Sequence, residues 1–374
     1  MKYIRIISRI IIGGTFVFSG FVKGQDPLGF TFKLEDYLIA YDMTWAMPLV
    51  LSMTIILCAF EFTLGFALLL NLRPALTRWL VTAMMVFFTF LTFFDALYNP
   101  VPDCGCFGDA IILTNWQTFY KNLILMIFVV GLIATRKYEK PTINAGSQWI
   151  LLMAGFLAFA AFSVFSYRHL PLLDFMPWKV GKNMYPTTEV QAKYYVTYKN
   201  NVTGETKEYE SHNFPYNDSV WMSQWSFVNQ RIDDPSAGLR HELQILDSTG
   251  TDVTDAYIRN TDYQLIITMY DPQTAPSRVA EQLAPLVDYL YKEGHTPVLL
   301  TAALPEEMGI IASAYKNHVE VLNADDIVLK TMVRANPGVM LMKNGVVIDK
   351  WNWRDTPDVE SLKARFPGFG KQID

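Results

Sequence analysis

Five apolar runs, each near the length that crosses a bilayer, constrain this chain more than any other feature. They are roughly Ile4–Val22, Met47–Leu70, Trp79–Tyr98, Phe119–Ala134 and Trp149–Tyr167. A helix needs about 20 apolar residues to span the hydrocarbon core. The fourth run is the shortest, and Trp116, Phe119 and Tyr120 supply an aromatic belt for its outer end. The first run has the basic start of a signal peptide in Lys2 and Arg5. Its Phe18-Ser19-Gly20-Phe21 is a poor small-x-small cleavage site, so the expectation is a retained helix. After about Arg168 the chain reads as soluble protein. The net charge of −5 argues against a nucleic-acid partner.

Lysine and arginine set the orientation. Lys2, Arg5 and Arg9, then Arg73 and Arg78, then Arg136, Lys137 and Lys140 all fall on one side if there are five spans. That side is expected to be the cytoplasm. Across the membrane lie Lys23–Ala46, the loop after the third run and everything after Tyr167, with Asp26, Asp36, Asp42, Asp103 and Asp109. In a bacterium this is the periplasm, where disulfides persist.

The loop after the third run reads Asn99-Pro100-Val101-Pro102-Asp103-Cys104-Gly105-Cys106-Phe107-Gly108-Asp109. Its prolines and glycines forbid regular structure and set tight turns. It holds two of the three cysteines, a number too small for a disulfide scaffold. A thiol must ionise before it attacks. A disulfide closed across one glycine is a small, strained ring, and strained disulfides are the easily reduced ones. The pair therefore suits redox exchange. A static structural disulfide and a pair of metal thiolates are the alternatives, and no histidine lies in the membrane part to complete a metal site. Asp103, Asp109 and Asp95 are expected to tune the thiols by raising their pKa.

Other residues in the spans invite two readings each. Cys58 and Glu61, three apart, share a helix face. Glu61 either handles protons or pairs with a base such as Arg9. Cys58 is a small core residue or a redox partner. Asp95 is a proton acceptor for a thiol or a helix-end carboxylate in contact with water. Gly13, Gly14 and Gly20 let helices approach closely. Pro27–Asp42 reads as a short amphipathic helix on the outer membrane surface.

The soluble part opens with a linker, Leu170–Pro186. Strands follow at Glu189–Tyr198 and Glu205–Glu210, then an aromatic segment at Trp221–Val228 and a strand at His241–Leu246. Strands Tyr263–Tyr270, Thr296–Thr301 and Val319–Leu322 then alternate with helices Pro276–Glu293, Glu306–Lys316 and Asp325–Val333. A hairpin turns at Asn344-Gly345, and a last helix, Pro357–Phe366, has Thr356 as its expected N-cap. The order implies α/β layers on a mixed sheet.

This order resembles a thioredoxin-like fold over roughly Leu243–Pro367, with Pro337 in the place of that family's cis proline. The family's Cys-x-x-Cys should follow the strand ending at Tyr270. Asp271-Pro272-Gln273-Thr274 stands there, and no cysteine follows Cys106, so this region is expected to bind a partner or dock on the membrane part. Over about Met1–Ala134 the chain resembles the DoxX/MauE-type family. The resemblance rests on Phe18-Ser19-Gly20-Phe21-Val22-Lys23, Glu61-Phe62-Thr63-Leu64-Gly65 and Cys104-Gly105-Cys106-Phe107-Gly108. It implies a four-helix core. MauE-type members are associated with methylamine utilisation and with disulfide formation or maturation of a periplasmic dehydrogenase. Some DoxX relatives are associated with thiosulfate–quinone oxidoreduction. A fifth helix leading to a cysteine-free thioredoxin-like domain resembles a fused form found in Bacteroidetes.

The expected organisation is a four-helix membrane domain over 1–135 and a cytoplasmic loop with a fifth helix over 136–168. An extracytoplasmic linker with a small β-rich segment over 169–240 and a thioredoxin-like domain over 241–374 follow. The expected function is inner-membrane thiol–disulfide exchange by Cys104 and Cys106, with Glu61 and Asp95 handling protons. The sequence names no electron acceptor and carries no quinone motif, and a membrane quinone is one candidate; a periplasmic client or redox partner and the lipid bilayer are the expected partners. A non-enzymatic assembly factor and a membrane subunit of a quinone-linked oxidoreductase complex are the alternatives.

Overall fold

A computed structural model describes residues 1–139, 143–184, 193–211, 213–215, 218–233 and 243–370. The membrane part contains α1 (Lys2–Gln25), α2 (Pro27–Ala40), a 3-10 turn (Thr44–Leu49) running into α3 (Val50–Leu70), α4 (Pro74–Tyr98), α5 (Asn115–Ala134) and α6 (Ala145–Arg168). Five of these, α1, α3 with its turn, α4, α5 and α6, are long and apolar enough to cross a membrane, and they form a membrane bundle. Each expected run lies inside one of them. Lys140, counted among the basic residues above, lies outside the described residues.

Two helices meet backbone to backbone. A Cβ at Gly20 would stand 2.7 Å from the Phe62 nitrogen, and one at Gly65 would stand 2.6 Å from the Val17 nitrogen. Glycine alone permits this α1–α3 seam. Gly13 belongs to it too, against Leu69, but a Cβ at Gly14 would meet nothing within 4 Å, so Gly14 is not a packing residue. Ile12, Phe16, Leu68, Met85, Leu125 and Val129 fill the core between α1, α3, α4 and α5. The fifth span, α6, joins by stacking Phe159 on Phe62 at 4.1 Å.

The short helix α2 does more than lie on the membrane surface. Asp26 caps it by accepting the Gly29 amide, and Pro27 occupies its first turn. It then folds back on the bundle: the Thr31 and Thr54 hydroxyls bond at 3.0 Å, and Tyr37 and Leu38 are buried. At the opposite end of the bundle Arg5 and Arg78 both pair with Glu139, and Arg9 donates to the carbonyls of Leu68 and Leu69.

Among the described residues the C-terminal region has two sheets. β1 (Lys193–Asn200), β2 (Thr206–Glu210), α7 (Ser219–Gln224) and β3 (Trp225–Asp233) give an antiparallel sheet of order β2-β1-β3. The aromatic segment thus divides between α7, capped by Asp218, and β3. The expected start of the first strand at Glu189 lies outside the described residues. Next come α8 (Thr254–Ile258), β4 (Gln264–Met269), α9 (Val279–Lys292), β5 (Val298–Thr301), α10 (Pro305–Ala314), β6 (Glu320–Asn323), α11 (Asp326–Met332), β7 (Gly338–Lys343), β8 (Val346–Asn352) and α12 (Val359–Arg365). The second sheet has the order β6-β5-β4-β7-β8, parallel among β4, β5 and β6 and antiparallel at β7 and β8. Every residue of β4 is buried, as a central strand covered on both faces requires.

Two expectations fail here. His241 lies outside the described residues, and among the described residues 243–246 no strand forms, since Leu246 makes only isolated bridges, to Asp252 and Asn323. The last helix is capped by Asp358, which accepts the Ser361 amide. Thr356 is unavailable because its hydroxyl is turned toward the Asn352 carbonyl, 3.4 Å away. The Asn336–Pro337 bond is cis, and the strand order is compatible with the thioredoxin-like expectation.

Candidate functional site

The thiol loop leaves the end of α4 and turns at once. Gly105 and Gly108 take φ of +62° and +49°, the left-handed region that glycine adopts without cost. The Gly105 amide donates to Asp103 and the Gly108 amide to the Gly105 carbonyl. This brings the free thiols of Cys104 and Cys106 to 2.9 Å from each other. The loop is held from several sides. The Ser19 hydroxyl donates to the Cys106 carbonyl at 2.6 Å, and the Asn115 amide to the Val101 carbonyl at 3.0 Å. Lys33 pairs with Asp103 at 2.6 Å, and Arg334 with Asp109 at 2.8 Å.

The two thiols differ in acidity. The hydrogen bond from Cys104 draws Cys106 down to about 6, helped by Lys121 and Lys23 and opposed by burial and Glu61. Cys104 is pushed well up by that same bond, by burial and by the neighbouring sulfur. Cys106 is therefore the more acidic of the two and the one that gives up its proton first. The expectation that carboxylates raise both thiols fails. Asp103 and Asp109 are ion-paired with Lys33 and Arg334, and two lysines stand nearer in effect to Cys106.

Glu61 is buried and paired, but with Lys23 and not with Arg9. Lys23 ends one of the sequence runs quoted above and Glu61 begins another, and the third holds the cysteines. The structure brings all three together, since Ser19 of the first run also binds Cys106. Cys58 is fully buried among Phe30, Ala59 and Phe159, the surroundings of a core residue.

Asp95 is fully buried and out of contact with water, contrary to the helix-end reading. It accepts a hydrogen bond from the Tyr37 hydroxyl at 2.6 Å, and its Oδ1 is buried with no partner among the described residues. The same Tyr37 hydroxyl faces Cys104 and eases its ionisation. Burial, Cys104 and Asp95 push the ionisation of Tyr37 upward, so it stays a neutral hydroxyl. Asp95 and Tyr37 are thus one hydrogen-bonded pair and Cys104 and Cys106 another, with Tyr37 and Cys104 facing each other between them. Sequence reasoning gave no site role to Tyr37, Lys121, Ser19 and Lys23. Ser19 and Lys23 carried a signal, since both stand in the Phe18–Lys23 run quoted above.

These features define a multi-pass helical membrane protein with a thiol pair at one end of its bundle, followed by a mixed α/β region. Residues 1–135 match the family model described as methylamine utilisation protein MauE. That stretch contains α1 to α5 and ends one residue beyond α5, so it is the first four spans with α2 that are similar to MauE. No curated protein matches the chain, and no solved structure does.

Proposed function

We propose that the chain exchanges disulfides with client proteins at the membrane, using Cys104 and Cys106. The observation that carries this reading is the approach of the two thiols to 2.9 Å, with Lys121 and Lys23 acting on Cys106 and Tyr37 facing Cys104. Cys106, the less buried of the two, is the attacking group. Its thiolate attacks one sulfur of a client disulfide. The client S–S bond breaks, and the leaving sulfur takes a proton from water. Cys104 then passes its proton to the Tyr37 hydroxyl as that hydroxyl passes its own to Asp95. The Cys104 sulfur attacks Cys106, the Cys106–client S–S bond breaks, the second client sulfur takes a proton from water, and the pair closes as the client leaves as a dithiol. In reverse, the closed pair oxidises a client dithiol. The two electrons and two protons gained then pass to a membrane acceptor of the quinone class.

The family description points to clients used in methylamine utilisation. The basic cluster of Arg5, Arg9 and Arg78 lies at the bundle end remote from the thiols, which supports a cytoplasmic N-terminus and a periplasmic thiol loop. A thioredoxin-like reading of the C-terminal region fits a client-facing role. One observation favours a second reading, a non-enzymatic assembly factor. The small sheet exposes Phe227 and Val228 beside the stacked Trp221 and Trp225, a surface suited to holding an unfinished client.

Acid quenching and mass tagging of intact cells separate the two. The expected result is a Cys104–Cys106 pair that is partly reduced, becomes fully reduced in a mild reductant pulse and re-oxidises while the quinone pool is oxidised. A pair that stays oxidised and resists the reductant overturns the exchange reading and leaves the assembly factor.

A further inference from the structure

We propose that Arg334 is a positioning residue for the thiol pair, the point at which the cysteine-free C-terminal region holds the thiol loop against α2. The proposal rests on the exchange reading for its purpose, though not for its test. Arg334 follows α11 and is 8% exposed. Its Nη2 donates to Asp109 at 2.8 Å, its Nε to Asp26 at 2.9 Å and its Nη1 to the Lys330 carbonyl at 2.7 Å. The guanidinium also lies over the Phe32 ring at 5.6 Å. One side chain thus joins the C-terminal region, the N-cap of α2 and the residue three places after Cys106.

The joint is built for an arginine. Asp26 divides its carboxylate, one oxygen taking the Gly29 amide and the other taking Arg334. A Cβ at Gly29 would come within 2.6 Å of Asp26 and 3.0 Å of the guanidinium, so glycine keeps the space open. The two carboxylates repel, and burial raises Asp109 against the pull of Arg334. Without the cation between them, one must take up a proton or swing into water. A planar fork reaches both at once, and a lysine ammonium does not.

The other anchor of the loop, Lys33 to Asp103, is also on α2. The loop is therefore pinned to α2 just before Cys104 and just after Cys106. Between the pins, Cys106 faces Lys23 from α1, Glu61 from α3 and Lys121 from α5, and its neighbour Cys104 faces Tyr37 from α2. Releasing the second pin lets the loop rise toward water and away from the lysines.

The test uses the full chain, reduced and purified in detergent. The rate of iodoacetamide alkylation at Cys104 and Cys106 is followed against pH by mass spectrometry. Asp109→Asn and Arg334→Met are expected to raise the midpoint of the rate profile by about one pH unit. Arg334→Lys should fall between them and the unaltered chain, and the double variant should shift no further than Arg334→Met. Should Arg334→Met fail to fold, the isosteric Asp109→Asn carries the test by itself. A midpoint unchanged in Asp109→Asn overturns the proposal. Because alkylation needs no client, a chain that proves inert in the cellular redox test loses the exchange reading without deciding this one.

Discussion

A lysine and a glutamate set inside apolar helices are costly apart and tolerable together. Lys23 and Glu61 are both buried, and each is the other's ion-pair partner. Glu61→Gln leaves the Lys23 charge uncompensated, which is expected to cost about 3–5 kcal/mol. Adding Lys23→Met removes that charge and should restore most of the loss. Thermal unfolding in detergent of the two single variants and the double variant gives the coupling, and additive losses would mean that the pair is not coupled. Glu61 was legible as an ionisable residue within a span, but its partner was not. The α1–α3 register opposes Gly20 to Phe62 and Gly13 to Leu69. Glu61 therefore meets the end of α1 at Lys23, while Arg9 falls at the far end of the bundle and binds the carbonyls of Leu68 and Leu69. Neither residue's type encodes that register; the glycines on the two helices do.

At the scale of the element, α2 is where pattern and structure part. Its alternation of apolar and polar residues suits a helix lying on a membrane surface. Hydroxyl partners pull it inward instead, Thr31 to Thr54 and Tyr37 to Asp95. Two of its faces then have separate work. Lys33 and Tyr37, four apart, face the thiol loop, while Leu28, Thr31, Phe32 and Glu35 line a cavity of about 480 Å³ against the C-terminal region. Tyr37→Phe removes the hydroxyl that stands between Asp95 and Cys104 and leaves Asp95 buried with no donor among the described residues. Attack by Cys106 does not need that hydroxyl, but closure by Cys104 does. The variant should react with a small aromatic disulfide and then stall as the mixed disulfide, closing at least about 10-fold more slowly. Closure at the unaltered rate, followed by release of the second thiol, would remove Tyr37 from the proton path. The loss of the buried bond should also lower stability by about 1–3 kcal/mol.

For the whole molecule, the arrangement of spans was legible because each must be long and apolar, a signal that depends on no distant partner. The site was legible only in its thiols and two carboxylates. Its remaining parts come from separate elements, and Arg334 stands 225 residues from Asp109. Such pairings arise from the packing of the two regions and leave no local trace. The spans also make a strong topological demand. Five crossings put the N-terminus and the C-terminal region on opposite sides, and the thiol loop shares the side of the C-terminal region through Arg334. Tyr3 and Val202 are each about 80% exposed at the two ends. In intact bacterial cells stripped of their outer membrane, Val202→Cys should react with a membrane-impermeant maleimide and Tyr3→Cys should not until the cells are lysed. Labelling of Tyr3→Cys before lysis would invert the orientation and place the thiols in the cytoplasm. There the reducing pool would keep both as thiols, and a disulfide-forming role would have no oxidant to draw on.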